Sequence, residues 1–234
     1  MLTAQDIKKK VGEQAAQFIR QGMTAGIGTG STAYWLIMAL GEKVKAGLDI
    51  RCVPTSTHTA RLAREQGIPL AELNDVDSID ITIDGADEID PQGNLIKGGG
   101  GALLQEKMVA AASRELVIIA DHTKLVDHLG AFPLPVEVIT FGWKQVQRFI
   151  EQRYGVSSQL RLKDGQPLLT DHGHYILDAH FNQIIDPAAL NTALNTLPGV
   201  VDNGLFIGMA TQFVIGYPDG TVKTLPASRP STAE

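Results

Sequence analysis

The sequence has little of what marks secreted or membrane-spanning proteins. It contains one cysteine, Cys52, which cannot form a disulfide within the chain. The longest uninterrupted apolar run, residues 33–40, is much shorter than the roughly 20 residues that a membrane span needs. Charged residues occupy the N-terminus where a signal peptide would have its apolar core. We therefore expect a cytoplasmic protein with no membrane partner, in which Cys52 is a buried thiol on a strand.

Basic residues are also too few and too scattered for a nucleic-acid-binding surface. The net charge is −6, and no basic stretch is longer than Lys8–Lys10. Nucleic acid is therefore not an expected partner. An anionic ligand would have to be attracted by local donors in loops and at helix starts rather than by the overall field.

Strand and helix patterns alternate over the first half of the chain. Each of the first three predicted strands precedes a predicted helix, and a fourth strand follows: 23–28 with 31–45, 49–53 with 56–66, 79–84 with 102–113, and then 115–121. A further helix, 3–20, comes before them. Repeated strand–helix units of this kind predict a parallel sheet with right-handed crossovers.

The composition changes after the stiff segment Phe132–Pro135. Strand and helix signals then follow in the order β-α-β-β-α, at 136–140, 143–154, 158–162, 175–179 and 187–197. We predict an α/β fold: a Rossmann-like parallel-sheet domain, residues 1–130 plus 205–234, and an inserted small α+β (ferredoxin-like) domain, residues 131–204. The last strands are expected near 211–216 and 221–225, and the tail from Ala227 is expected to be disordered.

The loop GTGST, residues 28–32, lies between the first predicted strand and the helix that follows. Unpaired N–H groups and the partial positive charge of a helix start favour an anion there, and hydroxyls add donors. A Walker loop would need a lysine where Gly30 stands. A dinucleotide fingerprint fits only when counted from Gly28 to Ala33, and Asp49 stands at the wrong end of the next strand for it. The remaining alternatives are a phosphate site and an ordinary N-cap.

A second polar segment, residues 81–107, gathers charges of both signs around four glycines. Five carboxylates and two lysines accompany the run Gly98–Gly101, and Glu106 stands in the first turns of the helix that follows it. Glycine lets backbone N–H groups come close to a bound oxygen. This combination indicates proton transfer on a small polar molecule, against the simpler reading of a solvated turn. Paired aspartates also leave Mg²⁺ binding open as an alternative.

These segments carry a resemblance to a known family. The segments GIGTGSTA (26–33), DGADEID (84–90), KGGGGALLQEK (97–107), DHTK (121–124), FPLPVEV (132–138) and LPGVVDNGLFIG (197–208) resemble the signature blocks of ribose-5-phosphate isomerase A. The resemblance covers nearly the whole chain in order. The sequence differs from many members of that family at Gln105, where they often carry a basic residue.

The resemblance implies interconversion of D-ribose 5-phosphate and D-ribulose 5-phosphate through an enediolate, in the non-oxidative pentose phosphate pathway, by a homodimer that uses no cofactor or metal. It implies that Glu106 is the general base, and that Lys97 acts with the N–H groups of the glycine run on the carbonyl oxygen. The expected catalytic residues are Glu106, Asp84, Asp87 and Lys97. The expected substrate-binding residues are Thr29, Gly30, Ser31, Thr32, Gly85, Ala86, Gly98, Gly99, Gly100 and Lys124.

Lys8 is a further candidate for the phosphate, and His58 for the pocket wall. Two other functions stay open at this point. A CoA-transferase-like enzyme also uses a glutamate near glycine-rich loops, although 234 residues leave little room for a CoA-binding face. A non-catalytic sugar-phosphate sensor would need a helix-turn-helix before the first strand, where only one helix fits.

Overall fold

The computed structural model describes residues 2–227, so most of the tail predicted to be disordered lies outside the described residues. The chain divides into two compact units. The first unit comprises Met1–Ala86, Gln105–Lys124 and Met209–Glu234. The second comprises Asp87–Leu104 and Leu125–Gly208.

Six α-helices and fifteen strands form within residues 2–227. The helices are α1 (Ala4–Ala15), α2 (Ser31–Lys45), α3 (Thr57–Glu65), α4 (Leu103–Ala111), α5 (Trp143–Tyr154) and α6 (Pro187–Asn195). The strands are β1 (Thr24–Ile27), β2 (Arg51–Pro54), β3 (Ile81–Gly85), β4 (Glu88–Ile89), β5 (Leu95–Ile96), β6 (Leu116–Asp121), β7 (Leu134–Val138), β8 (Ser158–Leu160), β9 (Leu162–Lys163), β10 (Gln166–Pro167), β11 (Tyr175–Ala179), β12 (Val200–Asn203), β13 (Leu205–Phe206), β14 (Gln212–Gly216) and β15 (Val222–Pro226). Two short 3-10 helices span Leu73–Asp75 and His122–Lys124.

The first unit is built on a six-stranded sheet in the order β15-β14-β6-β3-β1-β2. Its neighbouring strands are parallel, except that β15 is antiparallel to β14. The predicted Rossmann-like α/β domain with crossovers is therefore confirmed. The predicted last strands are also confirmed as β14 and β15.

Helices cover both faces of this sheet. Ile27 and Ile83 point to the face where α1 and α2 pack, and they share a buried cluster with Val11 and Leu36. The alternate residues point to the other face, because successive side chains of a strand alternate. There α4 packs so closely on β1 that a Cβ at Gly26 would lie 2.7 Å from Val109 Cγ1.

The second unit contains a four-stranded antiparallel sheet in the order β12-β7-β11-β8. The chain order is β7-α5-β8-β11-α6-β12, with the hairpin β9-β10 inserted, which confirms the predicted ferredoxin-like domain. Val136 and Val138 pack with Ile150 of α5 and Leu194 of α6 in one buried cluster. The turn of the hairpin is formed by Asp164–Gly165, both with positive φ, as its sequence predicts.

The two units differ from the predicted domain boundaries at residues 87–104, 125–130 and 205–208. The strands β4, β5 and β13 form a small three-stranded sheet of the second unit. Each has only two residues, too short to show a periodic pattern in the sequence. Ile96 and Leu205, which pair across this sheet, join the buried cluster of the second unit, so this packing decides where the segment belongs.

Strand β7 starts earlier than predicted and ends earlier. It contains Pro135, although proline lacks the N–H that a central strand donates. Pro135 O accepts a hydrogen bond from Gly204 N at 2.7 Å, immediately after β12 ends at Asn203. The proline nitrogen therefore faces the end of the neighbouring strand, where a donor is not needed. Helix α1 is likewise shorter than predicted and ends at Ala15.

Within residues 2–227, no helix combines the length and the apolar character that crossing a bilayer requires.

Cys52 lies fully buried in β2, as its apolar neighbours predict. Burial raises the pKa of its thiol to about 12, because the thiolate would lose its hydration. At pH 8 only about one thiol in ten thousand would be ionised.

We expect Cys52 to react with a thiol reagent such as DTNB at least on the order of 100-fold more slowly in the native chain than in the urea-unfolded chain. The single cysteine makes the label stoichiometry a direct readout of β2. Equal rates for native and unfolded chains at pH 8 would contradict the buried thiol.

Candidate active site

Polar side chains of the first unit follow three neighbouring strands where each strand ends. Strand β1 pairs with β3 at Ile27 and Ile83, and β3 pairs with β6 at Gly85 and Ile119, all in parallel register. The carboxyl ends of parallel strands share one edge of the sheet, and ligands of open α/β sheets bind there. This edge carries the predicted residues that follow β1, β3 and β6.

The loop after β1 rests on a cluster of four hydroxyls. Thr29 Oγ1 lies 2.8 Å from Thr55 Oγ1, 2.8 Å from Ser56 Oγ and 3.1 Å from Thr59 Oγ1. Thr59 Oγ1 donates to the carbonyl oxygen of Gly28 at 3.0 Å. The hydroxyl of Thr29, predicted to bind phosphate, thus holds the loop in place through its contacts with the three hydroxyls that follow β2.

Helix α2 begins with its first N–H groups uncapped by a side chain. Its N-cap is Gly30, which has φ +122° and no side chain to accept a hydrogen bond. An N-cap formed by a Ser or Thr side chain, the alternative that the sequence left open, is therefore excluded for α2. Ser31 is exposed, and its Oγ accepts a hydrogen bond from Lys8 Nζ at 2.9 Å. A cation, a hydroxyl and helix-start N–H groups thus meet at this loop, the combination that binds anions.

Asp84 connects the loop that follows β1 to the end of β3. Its side chain is 1% exposed, and Oδ1 accepts hydrogen bonds from Thr29 N at 3.1 Å and from Gly85 N at 2.7 Å. The approach is so close that a Cβ at Gly28 would lie 2.6 Å from Asp84 Cα. A glycine at position 28 is therefore required to bring the carboxylate against the loop of residues 28–32, hereafter the anion loop.

Glu106 lies at the same edge of the sheet as Asp84. Val109 of α4 packs at the level of Gly26, which pairs with Thr82. Asp84 lies two residues after Thr82, which is about 6.6 Å towards the carboxyl end of β3. Glu106 lies three residues before Val109, which is about 4.5 Å towards the start of α4. Helix α4 joins the parallel neighbours β3 and β6, so it runs antiparallel to them. The displacement from Thr82 to Asp84 and that from Val109 to Glu106 therefore both lead towards the carboxyl edge of the sheet. Glu106 lies on the same face of α4 as Val109. Asp84 lies on the same face of the sheet as Thr82.

The carboxylate of Glu106 is only 4% exposed and stands in the first turn of α4. A buried carboxylate at the edge of the sheet where ligands bind is a candidate general base.

Lys124 ends the 3-10 helix His122–Lys124 that follows β6. The turn before it is fixed by Asp121, whose Oδ1 accepts hydrogen bonds from the backbone N (3.0 Å) and the hydroxyl of Thr123. The structure therefore places Lys124 just past the carboxyl edge of the sheet, as the sequence predicts for the end of this strand.

The second unit holds the other predicted residues. Asp87 Oδ2 accepts a hydrogen bond from Gly99 N at 2.8 Å, and Gly98 and Gly101 have φ of +105° and +80°. Lys97 is 2% exposed and its Nζ lies 5.4 Å from the centroid of the Phe206 ring. Burial of a charged lysine is costly unless its ammonium group is paired and hydrogen-bonded.

The first unit thus carries Thr29, Gly30, Ser31, Thr32, Asp84, Gly85, Ala86, Glu106 and Lys124, and the second carries Asp87, Lys97, Gly98, Gly99 and Gly100. Sequence reasoning missed the supporting hydroxyls of Thr55, Ser56 and Thr59, which follow β2. It also missed Arg161, which donates to carbonyl oxygens of the glycine run. No local motif marks that arginine.

Two histidines lie outside these groups. His58, considered for the pocket wall, is exposed on α3, where its Nδ1 lies 3.3 Å from Arg61 Nη2. His174 Nδ1 lies 3.0 Å from Glu137 Oε1, on the second unit. In the described part of the chain, no three side chains of His, Cys, Asp or Glu group together as metal ligands.

The parallel sheet carries buried carboxylates and an uncapped helix start, with a lysine beside it, at its carboxyl edge. This arrangement is typical of α/β enzymes that act on small anionic molecules. Comparison with known proteins narrows this class. A family model described as ribose 5-phosphate isomerase A (phosphoriboisomerase A) matches residues 51–220.

Whole-chain relatives agree with the family model. A ribose-5-phosphate isomerase A of Bacillus mycoides (strain KBAB4) is 53% identical over 92% of this chain and 97% of its own length. One of Ruegeria sp. (strain TM1040) is 54% identical over 90% of this chain and 83% of its own length. A solved D-ribose-5-phosphate isomerase in complex with phospho-erythronic acid is 41% identical, with a TM-score of 0.93 over 96% of this chain and all of that chain. The Plasmodium falciparum ribose 5-phosphate isomerase is 40% identical, with a TM-score of 0.92 over 95% of this chain and 98% of its own.

The chain belongs to the ribose 5-phosphate isomerase A family, which confirms the resemblance read from its sequence.

We expect Gly28→Ala to displace Asp84, because the added methyl group would overlap that residue's Cα. Overpacking of this kind costs about 1–3 kcal/mol, and a shift of the carboxylate by about 1 Å would reduce isomerase activity on the order of 100-fold. Thermal unfolding and the initial rate of isomerisation measure the two effects.

Gly85→Ala is the matched control for stability, since the nearest atoms to its added Cβ would lie 3.9 Å away. It should lower the unfolding midpoint less than Gly28→Ala. Equal midpoints for the two variants would show that the close approach at Gly28 is unimportant.

Proposed function

We propose that the chain interconverts D-ribose 5-phosphate and D-ribulose 5-phosphate through an enediolate, with Glu106 as the group that moves the proton. The isomerisation is the reaction of the family to which the chain belongs. The residue assignments are our own and are supported by the geometry of each unit. The observation that carries them is the burial of Glu106 at the same sheet edge as Asp84 and the anion loop.

Aldose–ketose isomerisation moves a proton between adjacent carbons. It needs one base that removes a proton, holds it and returns it to the neighbouring carbon. A carboxylate reaches both carbons with little movement because either oxygen can act. Glu106 suits this role since α4 is packed tightly on β1 and its start is fixed at the sheet edge.

The phosphate is assigned to the loop after β1 and its neighbours. The acidic chain attracts anions only through local donors, and this loop offers the N–H groups at the start of α2 with the hydroxyls of Ser31 and Thr32. Lys8 already donates to Ser31 Oγ at 2.9 Å, and Lys124 adds a second ammonium group just past the sheet edge. Thr29 and Gly30 shape the loop.

Negative charge that develops on the carbonyl oxygen is assigned to donors of the second unit. Lys97 provides an ammonium group from a buried position, and the glycine run provides N–H groups without side chains in the way. Gly99 N donates to Asp87 Oδ2, and the neighbouring Gly100 is exposed. Lysine and amide dipoles supply the polarisation, so the proposal includes no cofactor.

Asp84 and Asp87 are assigned to the sugar hydroxyls and to proton movement during ring opening, since pentose phosphates arrive largely as rings. Asp84 accepts a hydrogen bond from the N–H of the next residue, Gly85, and Asp87 accepts one from the N–H of Gly99 in the glycine run. These bonds fix the direction of the two carboxylates. Gly85 and Ala86, between them, complete the substrate-binding segment. We further propose that the chain is cytoplasmic and forms a homodimer, as the family resemblance implies. Light scattering of the purified chain would test the homodimer.

We expect Glu106→Gln to lower kcat by at least about 1,000-fold, with KM and the unfolding midpoint little changed, because the amide cannot accept the proton. The assay is isomerisation of ribose 5-phosphate in the presence of EDTA. The control is Glu65→Gln, an exposed glutamate 4.0 Å from Arg61 on α3, which should keep wild-type rates. Wild-type turnover by Glu106→Gln would remove Glu106 from its role.

The same assay in D₂O distinguishes proton transfer from acyl transfer. Wild-type enzyme should introduce solvent deuterium at C2 of ribose 5-phosphate, and Glu106→Gln should not. A CoA-transferase-like activity would label nothing at C2.

We expect Lys8→Met to raise KM for ribose 5-phosphate about 10-fold with a smaller change in kcat, because a charge-assisted contact of roughly 1.5 kcal/mol or more would be lost from the phosphate. Lys9→Met is the matched control. Lys9 lies one residue further on α1, pairs with Glu13 at 3.8 Å and is exposed. Equal KM values for the two variants would exclude Lys8 from the phosphate site.

A further inference from the structure

We propose that Arg161 is a positioning residue that sets the direction of the peptide groups in the glycine run, and so aims their N–H groups for catalysis. The inference rests on the proposed function, because it gives a cause for the orientation of donors that the proposal assigns to the oxyanion. Arg161 Nη1 donates to Gly98 O at 2.6 Å and to Gly99 O at 3.2 Å. All the residues concerned belong to the second unit.

The guanidinium group is itself held in place. Its Nε donates to Asp178 Oδ2 at 2.9 Å, and its Nη2 pairs with Asp178 Oδ1. The side chains of Arg161 and Asp178 are 13% and 21% exposed. A two-point pair of this kind fixes both the position and the plane of the guanidinium, which a single ammonium contact would not do.

The sheet supplies the rigid base for this pair. Asp178 lies on β11 between Pro135 of β7 and Gln159 of β8. Its neighbours Leu177 and Ala179 point into the helix-covered core, so Asp178 points to the opposite face. The backbone of Arg161 is tied to the same strand, since its N–H donates to Ile176 O at 2.8 Å.

Peptide geometry then converts the arginine contact into a direction for N–H groups. In a trans peptide the C=O of one residue and the N–H of the next point in opposite directions. Arg161 holds the carbonyls of Gly98 and Gly99, so the N–H groups of Gly99 and Gly100 point away from it. The first of these meets Asp87 Oδ2 at 2.8 Å, which agrees with this direction.

A run of glycines needs such a constraint. Glycine loses more conformational freedom on ordering than any other residue, and Gly98 and Gly101 already use positive φ values. Without Arg161, either peptide of the run could turn over and direct a carbonyl oxygen where the N–H now points. A carbonyl oxygen there would repel the developing oxyanion.

The test compares Arg161→Met, Arg161→Lys and Asp178→Asn with Arg148→Met, an exposed arginine of α5 that serves as control. We expect kcat to fall about 10- to 100-fold in Arg161→Met and less in the two conservative variants, with KM for ribose 5-phosphate within about threefold of wild type. Arg148→Met should keep wild-type kcat and KM.

Two inhibitors separate positioning from general disorder. Phospho-erythronic acid, whose carboxylate stands in for the enediolate oxygens, should inhibit Arg161→Met more weakly by about the factor lost in kcat. Inorganic phosphate should inhibit all variants equally, because its proposed site lies on the first unit. A parallel loss of inhibition by both anions would indicate a structural role and overturn the inference.

Wild-type kcat in Arg161→Lys and Asp178→Asn would also overturn it, whether or not Arg161→Met folds. That failure is distinguishable from failure of the proposed function. If Glu106→Gln is inactive and the Arg161 variants are fully active, only the role of Arg161 is rejected. If Glu106→Gln is active, the proposed role of Glu106 as the base is rejected.

Discussion

The parallel pairing of β1, β3 and β6 is the constraint on which the first unit's candidate site depends. Parallel neighbours must be joined by crossovers, and the crossover helices then start at the edge where the strands end. One pairing pattern therefore brings the start of α2, the carboxylate of Asp84 and the start of α4 with Glu106 to one edge. Each of these groups would be an ordinary surface feature in another topology.

Close packing at two glycines gives this edge its detail. Gly26 lets α4 approach β1, and Gly28 lets the anion loop approach Asp84. The buried carboxylate is stabilised by the N–H groups of Thr29 and Gly85, so its burial does not leave a charge without hydrogen bonds. The same logic appears in the second unit, where a pair of charged residues, Arg161 and Asp178, orders a glycine run that has little conformational preference of its own.

Much of the fold follows from local patterns. Helices α2 and α5 and strand β11 have the predicted bounds. Both ends of α5 carry clear signals, Gly142 and Gly155. The bounds of β7 and the assignment of residues 87–104 differ, because Pro135 and two-residue strands are interpretable only beside their sheet neighbours. Residue type and spacing indicate Glu106, Asp84 and the loop at residues 28–32 as candidate site residues. They do not indicate the hydroxyls after β2 or Arg161, since the partners of these residues are distant in sequence.

The sequence by itself determined the alternation of strands and helices, the burial of Cys52 and the identity of the polar residues at strand ends, because these depend on periodicity, turn chemistry and charge within a short segment. Tertiary structure decided which of those residues meet. It placed Lys8 on Ser31, 23 residues away, and Arg161 on Gly98, 63 residues away. Such contacts arise when sheet pairing and core packing fix the backbone, and no local pattern encodes them.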